Sequence, residues 1–253
     1  MTANDPKRPL GIQSSSLSIL VETTRMVRPM DQDVSEDLIE AGRGYEALFV
    51  PALFEAWTKH LVEGAGVADG SHVLDVACGT GVLARSALAH AGANGRVVGA
   101  DPAPGMLAAA KEIEPTIDWV LCSAEALDVD NETFDCVISQ FGMMFFEDRN
   151  KSAVEMFRAL KPGGSLAIAV WRSVEHNPAY ADIISILEEH VGSAAAHALR
   201  LPYSLGNADD VIAALEGSGF SEITVEAETE TARFPSSRRM VEAELRGWLP
   251  LFD

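Results

Sequence analysis

Val73-Leu74-Asp75-Val76-Ala77-Cys78-Gly79-Thr80-Gly81 is a short apolar run that breaks into a glycine turn and then into a helical pattern, Gly81 to Ala91. Glycine lets the backbone bend sharply and approach a ligand, and a helix start offers unpaired N–H groups and a positive dipole end to an anionic group. The arrangement predicts a site for a nucleotide-type cofactor. Twenty residues after Gly81, just past the next apolar run, stands Asp101, where a carboxylate can accept both hydroxyls of a ribose. Asp75 is the odd residue of its own strand. A carboxylate in an apolar run is costly to bury unless donors or a cation satisfy it, and an amino-acid ammonium, or water held by one, supplies that need.

Outward from this stretch, strands and helices alternate. Val73 to Val76, Arg96 to Ala100, Ile117 to Cys122, Phe134 to Ser139 and Ser165 to Trp171 read as strands; Gly81 to Ala91, Gly105 to Glu112 and Lys151 to Leu160 read as helices. Lys161-Pro162-Gly163-Gly164 is a turn before the last of these strands. Such alternation over short connections predicts a parallel sheet covered by helices. Upstream, Leu38 to Val62 predicts two short helices, with Pro51 where the second could begin, and Gly64 to Ser71 supplies the stop. Residues 1–44 read as an arm or helical extension to a domain covering 45–253, and 172–207 as a helical cap inserted over the substrate. Within and beyond that cap, Ala179 to Val191 and Ser193 to Leu199 are helix-like, and a further helix starts at Asn207 or Asp209 and stops at Gly217 to Gly219. Glu222 to Thr229 and Thr231 to Phe234 alternate with period two and read as strands, and Ser237 to Trp248 as a final helix.

Composition narrows the function classes. With 253 residues, 47% hydrophobic and 23% charged, the chain has the make-up of a globular domain. Its formal charge of −19 repels phosphate backbones and anionic membranes, so neither nucleic acid nor membrane insertion is expected. The polar start, Met1 to Leu10, lacks a secretion signal and no apolar run is long enough for a bilayer, so a cytoplasmic protein is expected. Cys78, Cys122 and Cys136 are odd in number and widely spaced, which predicts buried thiols and no metal site. Leu245, Trp248, Leu249 and Leu251 would offer an apolar contact for a homodimer.

Gly79-x-Gly81-x-x-Ala84 with Asp101 also fits a nicotinamide dinucleotide site. The balance is tipped by Asp75 and by several motifs in order: Asp75 to Gly81, Gly99-Ala100-Asp101-Pro102-Ala103-Pro104-Gly105-Met106-Leu107, Ser123-Ala124-Glu125-Ala126-Leu127, Phe134-Asp135-Cys136-Val137, Gln140-Phe141-Gly142-Met143-Met144-Phe145-Phe146 and Leu160 to Gly164. Together they resemble the class I S-adenosylmethionine-dependent methyltransferases of the type 11, ubiquinone-menaquinone-biosynthesis-like group, over roughly Tyr45 to Phe234. The resemblance implies a Rossmann-like, mostly parallel seven-stranded sheet with helices on both faces and a C-terminal antiparallel strand pair. It implies S-adenosyl-L-methionine as cofactor, with S-adenosyl-L-homocysteine as product. Asp75, Ala77, Cys78 and the turn from Gly79 to Gly81 would hold the methionine part, Asp101 the ribose, and Pro102 and Met106 would border the adenine. Ser123, Ala124 and Glu125 would edge the adenine ring; Ser123 stands where many relatives carry Asp, so a hydroxyl or water would replace that contact. Gln140 and Phe141 would face the sulfonium and the substrate.

Methyl transfer from a sulfonium is an in-line displacement, in which alignment and desolvation supply much of the acceleration. If the acceptor is a hydroxyl, a base near neutral pKa helps, and His176, after the fifth strand, is the candidate. Tyr45, Met144 and Trp171 are candidate walls of the acceptor pocket, and the modestly apolar cap favours a small, partly hydrophobic acceptor over a polymer. Two other classes remain open, a nicotinamide-dependent oxidoreductase and a cofactor-binding protein without turnover. Taken singly, the glycines serve a turn, Asp101 a helix cap and the methionines a core equally well; their joint spacing is what favours the site.

Overall fold

The computed structural model describes residues 34–243. The expectations for the start of the arm, and for Leu245, Trp248, Leu249 and Leu251, lie outside these residues. Five strands form one parallel sheet: β1 (His72–Val76), β2 (Arg96–Asp101), β3 (Asp118–Leu121), β4 (Phe134–Gln140) and β5 (Leu160–Ala169), in the order β3-β2-β1-β4-β5. The chain winds outward from β1 to β3 and then returns to the other side of β1. The order therefore reverses between β1 and β4, and ligands of open parallel sheets bind in the crevice at such a reversal.

β1 shows why the apolar run becomes a central strand. Val73 faces one core with Val97, Cys136 and Ile138, while Leu74 and Val76 face a second with Val98, Ala100 and Val137. A strand covered on both faces has no solvent side, so its sequence is nearly continuous in apolar residues. The covering helices are α3 (Val82–Ala91), α4 (Pro104–Ile113) and α5 (Arg149–Ala159). Proline opens α4, and Asp148 caps α5 by accepting the Lys151 N–H at 2.9 Å. The Lys161 to Gly164 turn lies inside β5 as an irregularity: Leu160 pairs with Phe134 and the ladder resumes at Ser165 opposite Cys136, with Gly163 at φ +81°.

Upstream of β1 the two expected helices are α1 (Glu36–Leu48) and α2 (Thr58–Gly64), joined without a loop by a wide helical turn, Val50–Phe54, and a tight one, Glu55–Trp57. α1 runs through positions 44 and 45 and lies on α4 at a close glycine contact. A Cβ on Gly42 would stand 2.8 Å from the Gly105 carbonyl oxygen, and one on Gly105 would stand 2.4 Å from that of Leu38. After β5 come α6 (Pro178–His190), α7 (Ser193–Arg200), α8 (Ala208–Leu215) and α9 (Ser237–Ala243). Ile184, Ala196 and Leu199 form a small core of their own between α6 and α7.

Three expectations change. The sheet has five strands among the described residues rather than seven, because Glu222 to Phe234 makes no ladder: its one backbone bond to another element is the Arg233 N–H donated to the Ala52 carbonyl at 2.9 Å. Period two is a property of the segment, whereas a strand also needs a partner edge, and the four glutamates from Glu222 to Glu230 do not occur among residues that bury both faces. The fifth strand ends at Ala169, short of Trp171. Cys78 and Cys136 are buried as expected, but Cys122 is half-buried; all three are free thiols. No described helix is long and apolar enough to cross a membrane.

Candidate functional site

The C-terminal ends of β1, β2 and β4 converge at the reversal point. Two non-glycine residues adopt left-handed backbone there, Ala77 after β1 (φ +57°) and Phe141 after β4 (φ +55°). Such conformations cost about 1–3 kcal/mol each and collect at functional sites. The two turns they belong to meet across the reversal, since a Cβ on Gly142 would lie 2.5 Å from that of Ala77. In the turn itself, Gly79 has φ +54° and Gly81 φ +85°. Gly81 is required twice over, because a Cβ there would fall 2.3 Å from the ring of Trp119, which underlies the turn.

Asp75 is 1% exposed and neither of its carboxylate oxygens has a hydrogen-bond partner. Burial pushes its pKa well above the ordinary 3.8, and the nearby charge of Asp101 adds to this; the Ala84 amide, which faces it outside hydrogen-bond geometry, and the Arg85 charge offset them only in part. Asp101 is differently placed. Its Oδ2 accepts the Gly79 N–H and its Oδ1 the Ala103 N–H, both at 2.8 Å, so the carboxylate predicted for a ribose also ties the glycine turn to the end of β2. Each oxygen keeps lone-pair capacity for a hydroxyl. Burial raises the Asp101 pKa and the two amides lower it. Cys78 is buried, and its thiol is pushed up by burial and by the Asp101 and Asp75 charges. An unpartnered buried carboxylate beside a second carboxylate, at a glycine turn, fits a ligand bearing both an ammonium and vicinal hydroxyls.

Around this centre the remaining candidates divide. Tyr45 on α1 is half-buried and stacks on Phe54 at 5.4 Å, and the desolvation of its hydroxyl with the Asp101 and Glu46 charges raises that group's pKa. Phe141 stacks flat on Trp171, ring centres 3.9 Å apart, and Trp57 meets both edge-on. Tyr45, Phe141 and Trp171 are thus joined through Phe54 and Trp57, two aromatics the sequence reading passed over. Gln140 donates from Nε2 to the Phe54 carbonyl at 3.1 Å while its Oε1 is buried without a partner. Ser123 and Ala124 form the start of a tight turn after β3, with Glu125 turned to accept the Glu147 N–H at 3.0 Å. Pro102 is exposed, Met106 is buried on α4, and Met144 packs in the core with Leu205 and Val211.

His176 is set apart. It is exposed, its Nε2 accepts from the Arg172 guanidinium at 2.8 Å and its Nδ1 meets the Ser173 hydroxyl at 3.1 Å. With Trp171, Trp57 and Phe54 it lines a groove of about 1860 Å³ along β5, which Asp75, Gly79 and Asp101 do not line. The groove exceeds what a small ligand needs, and the polar groups that could recognise a cofactor converge elsewhere, at the reversal point.

A second cluster, absent from the sequence reading, sits over the turn. Glu46 on α1 accepts from the Thr80 hydroxyl and from the Arg85 guanidinium, each at 2.6 Å, and Arg85 also donates to the Thr80 carbonyl at 2.7 Å. The only trace of this in the sequence is that Thr80 and Arg85 belong to the turn and to the first part of its helix.

The profile of the ubiE/COQ5 methyltransferase family matches residues 46–187. Over 142 residues the chain is 32% identical to the ubiquinone/menaquinone biosynthesis C-methyltransferase UbiE of Marinomonas sp. (strain MWYL1), covering 54% of this chain and 53% of that protein. It is 35% identical over 124 residues to the UbiE of Hydrogenovibrio crunogenus (strain DSM 25203 / XCL-2), covering 47% and 49%. The chain spans about half the length of these curated relatives. Among solved structures it resembles a SAM-dependent methyltransferase from Aquifex aeolicus, with TM-score 0.54 and 20% identity over 76% of this chain and 94% of that one. It also resembles the Haemonchus contortus phosphoethanolamine N-methyltransferase 2 in complex with phosphomonomethylethanolamine and S-adenosylhomocysteine, with TM-score 0.54 and 24% identity over 73% and 42%. At these identities the structural likeness concerns the fold. The profile covers more than half of the chain, the Rossmann-like fold agrees with it, and the chain belongs to the ubiE/COQ5 methyltransferase family.

Proposed function

We propose that this protein binds S-adenosyl-L-methionine at the reversal point between β1 and β4 and transfers its methyl group to a small, partly hydrophobic acceptor. The observation that carries the reading is Asp75: a carboxylate buried without a partner at the end of a central strand calls for a ligand cation. Asp75 would take the ammonium, Asp101 the ribose hydroxyls, and the backbone from Ala77 through Cys78 and Gly79 to Gly81 the methionine carboxylate. Pro102, Met106, Ser123, Ala124 and Glu125 would border the adenine, and Gln140 and Phe141 the reacting end. The UbiE relatives, named as C-methyltransferases, support the reaction class.

When bound, the cofactor supplies an electrophilic methyl on a sulfonium. This chain's residues then have to orient the acceptor, exclude water and, for some acceptors, remove a proton. Tyr45, Trp171 and the rings joined to them offer flat apolar walls, with residues 172–207 as the cap and Met144 behind them. His176 is the candidate base; its Nε2 lone pair is held by Arg172, so a proton can be taken there only if that bond opens. The reading includes a cytoplasmic location and a homodimer, for which light scattering is the test.

Calorimetric titration with S-adenosylhomocysteine, run in parallel with NADH, tests the cofactor. Binding of the former that weakens at least tenfold in Asp101→Ala supports the proposal, and binding of NADH alone moves the protein to the oxidoreductase class. Methylation of only protein or nucleic acid in an acceptor screen would exclude the small-molecule part.

A further inference from the structure

The glycine turn and the Asp101 loop border one crevice, and α1 touches the elements on both sides of it. On the side of the turn, Glu46 holds the Thr80 hydroxyl and the Arg85 guanidinium at 2.6 Å each. The Glu46 and Arg85 side chains are 23% and 22% exposed, so water competes little for the pair. On the side of α4, the helix that follows Asp101, Gly42 allows helix-to-helix contact and Arg43 makes two bonds to Glu112, at 3.0 and 2.8 Å. These latter bonds are exposed and individually weak. Among the described residues, the side chain of α1 that is hydrogen-bonded to the glycine turn is that of Glu46.

Thr80 stands between the two left-handed glycines, in a segment without regular ladder or helical bonds. Such a segment keeps its shape only if its surroundings fix it. Asp101 fixes one end by accepting the Gly79 N–H, and the Glu46 bonds fix the other through Thr80 and Arg85. Arg85 is also the cation whose charge reaches Asp75.

We propose that Glu46 is a positioning residue: through Thr80 and Arg85 it braces the glycine turn against α1 and so makes α1 part of the cofactor site. The proposal rests on the reading of that site given above. Glu46→Gln keeps the side chain's size but loses the charge that holds Arg85; Thr80→Val removes the hydroxyl from the other end of the same link.

Hydrogen exchange of the ligand-free protein and calorimetric titration with S-adenosylhomocysteine, on the wild type and both variants, form the test. The expected result is at least tenfold faster exchange at the amides of residues 79–83 in Glu46→Gln, with β1 and β2 amides unchanged, and at least tenfold weaker binding. Thr80→Val should show the same pattern, and Glu46→Gln with Thr80→Val should cost less than the two effects multiplied. Unchanged exchange at the turn overturns the brace whatever the ligand does, and so does faster exchange with affinity within twofold of wild type. Faster exchange throughout the sheet shows Glu46 to be merely structural and overturns it as well. Failure of the wild type to bind S-adenosylhomocysteine overturns the reading of the site, and the proposal with it, and is told apart by the wild-type titration alone.

Discussion

The half of the sheet around β1 and the half that ends at β5 are built from similar strands, yet one is closed and the other open. β1 and β2 are buried along nearly their whole length, whereas most of β5 is only half-buried or exposed and a wide groove lies along it. The turn after β1 is held from three directions: Trp119 under it, Asp101 across it, Glu46 above it. Beside β5, Glu222 to Phe234 passes with a single backbone bond to another element. Precise geometry sits where residues are constrained from several directions, which is what a cofactor with fixed shape requires. Adaptable surface sits where they are not, which suits an acceptor.

Substitutions should separate the halves by the size of their effects. Gly81→Ala adds a Cβ 2.3 Å from Trp119 at φ +85°, and should cost about 3 kcal/mol or more in urea unfolding. A cost under about 1 kcal/mol would mean that Trp119 yields and that the closed half is softer than described. Asp75→Asn comes next. It should weaken S-adenosylhomocysteine about 100-fold, or roughly 2.7 kcal/mol, by removing the charge that pairs with an ammonium. It should also change the pH dependence of the ligand-free protein. Because the folded pKa of Asp75 is raised, the folded state binds its proton more tightly than the unfolded state, and stability falls as pH rises from the ordinary 3.8 toward the folded value. The wild type should lose stability relative to Asp75→Asn over that window; parallel curves in urea titrations would show the carboxylate to be satisfied.

In the open half the effects should be smaller. Trp171→Ala removes the ring stacked at 3.9 Å on Phe141 and should cost about 2 kcal/mol while leaving S-adenosylhomocysteine affinity within threefold. A large loss of cofactor binding would join the aromatic cluster to the closed half. His176→Ala should change stability by less than about 0.5 kcal/mol, since the residue is exposed, and slow methyl transfer by less than tenfold. A drop of 100-fold or more, of the size general bases supply, would make it the base and place the reaction at the mouth of the groove.

Much of the closed half was legible in the sequence because its causes are local. The apolar run at Val73 to Val76 and the glycines of the turn that need left-handed backbone each follow from residues adjacent in the chain. The odd carboxylate in an apolar strand was enough to mark Asp75. The period-two pattern of Glu222 to Phe234 was equally local, and there it misled, since alternation does not provide a partner edge. Glu46 left no signal at all: one acidic residue in an amphipathic helix reads as a solvated face until α1 is placed.

The sequence by itself determined the alternation of strands and helices from β1 to β5, the glycine turn and the carboxylates that flank it, since propensity, turn chemistry and burial pattern act over a few residues. Only the tertiary structure decided that Asp101 holds the turn as well as facing the crevice, that Phe141 stacks on Trp171 and that α1 reaches across to Thr80 and Arg85. Those contacts join residues from separate elements, and hydrogen bonds and ring stacking act over a few ångströms of space, a distance fixed only when the elements pack.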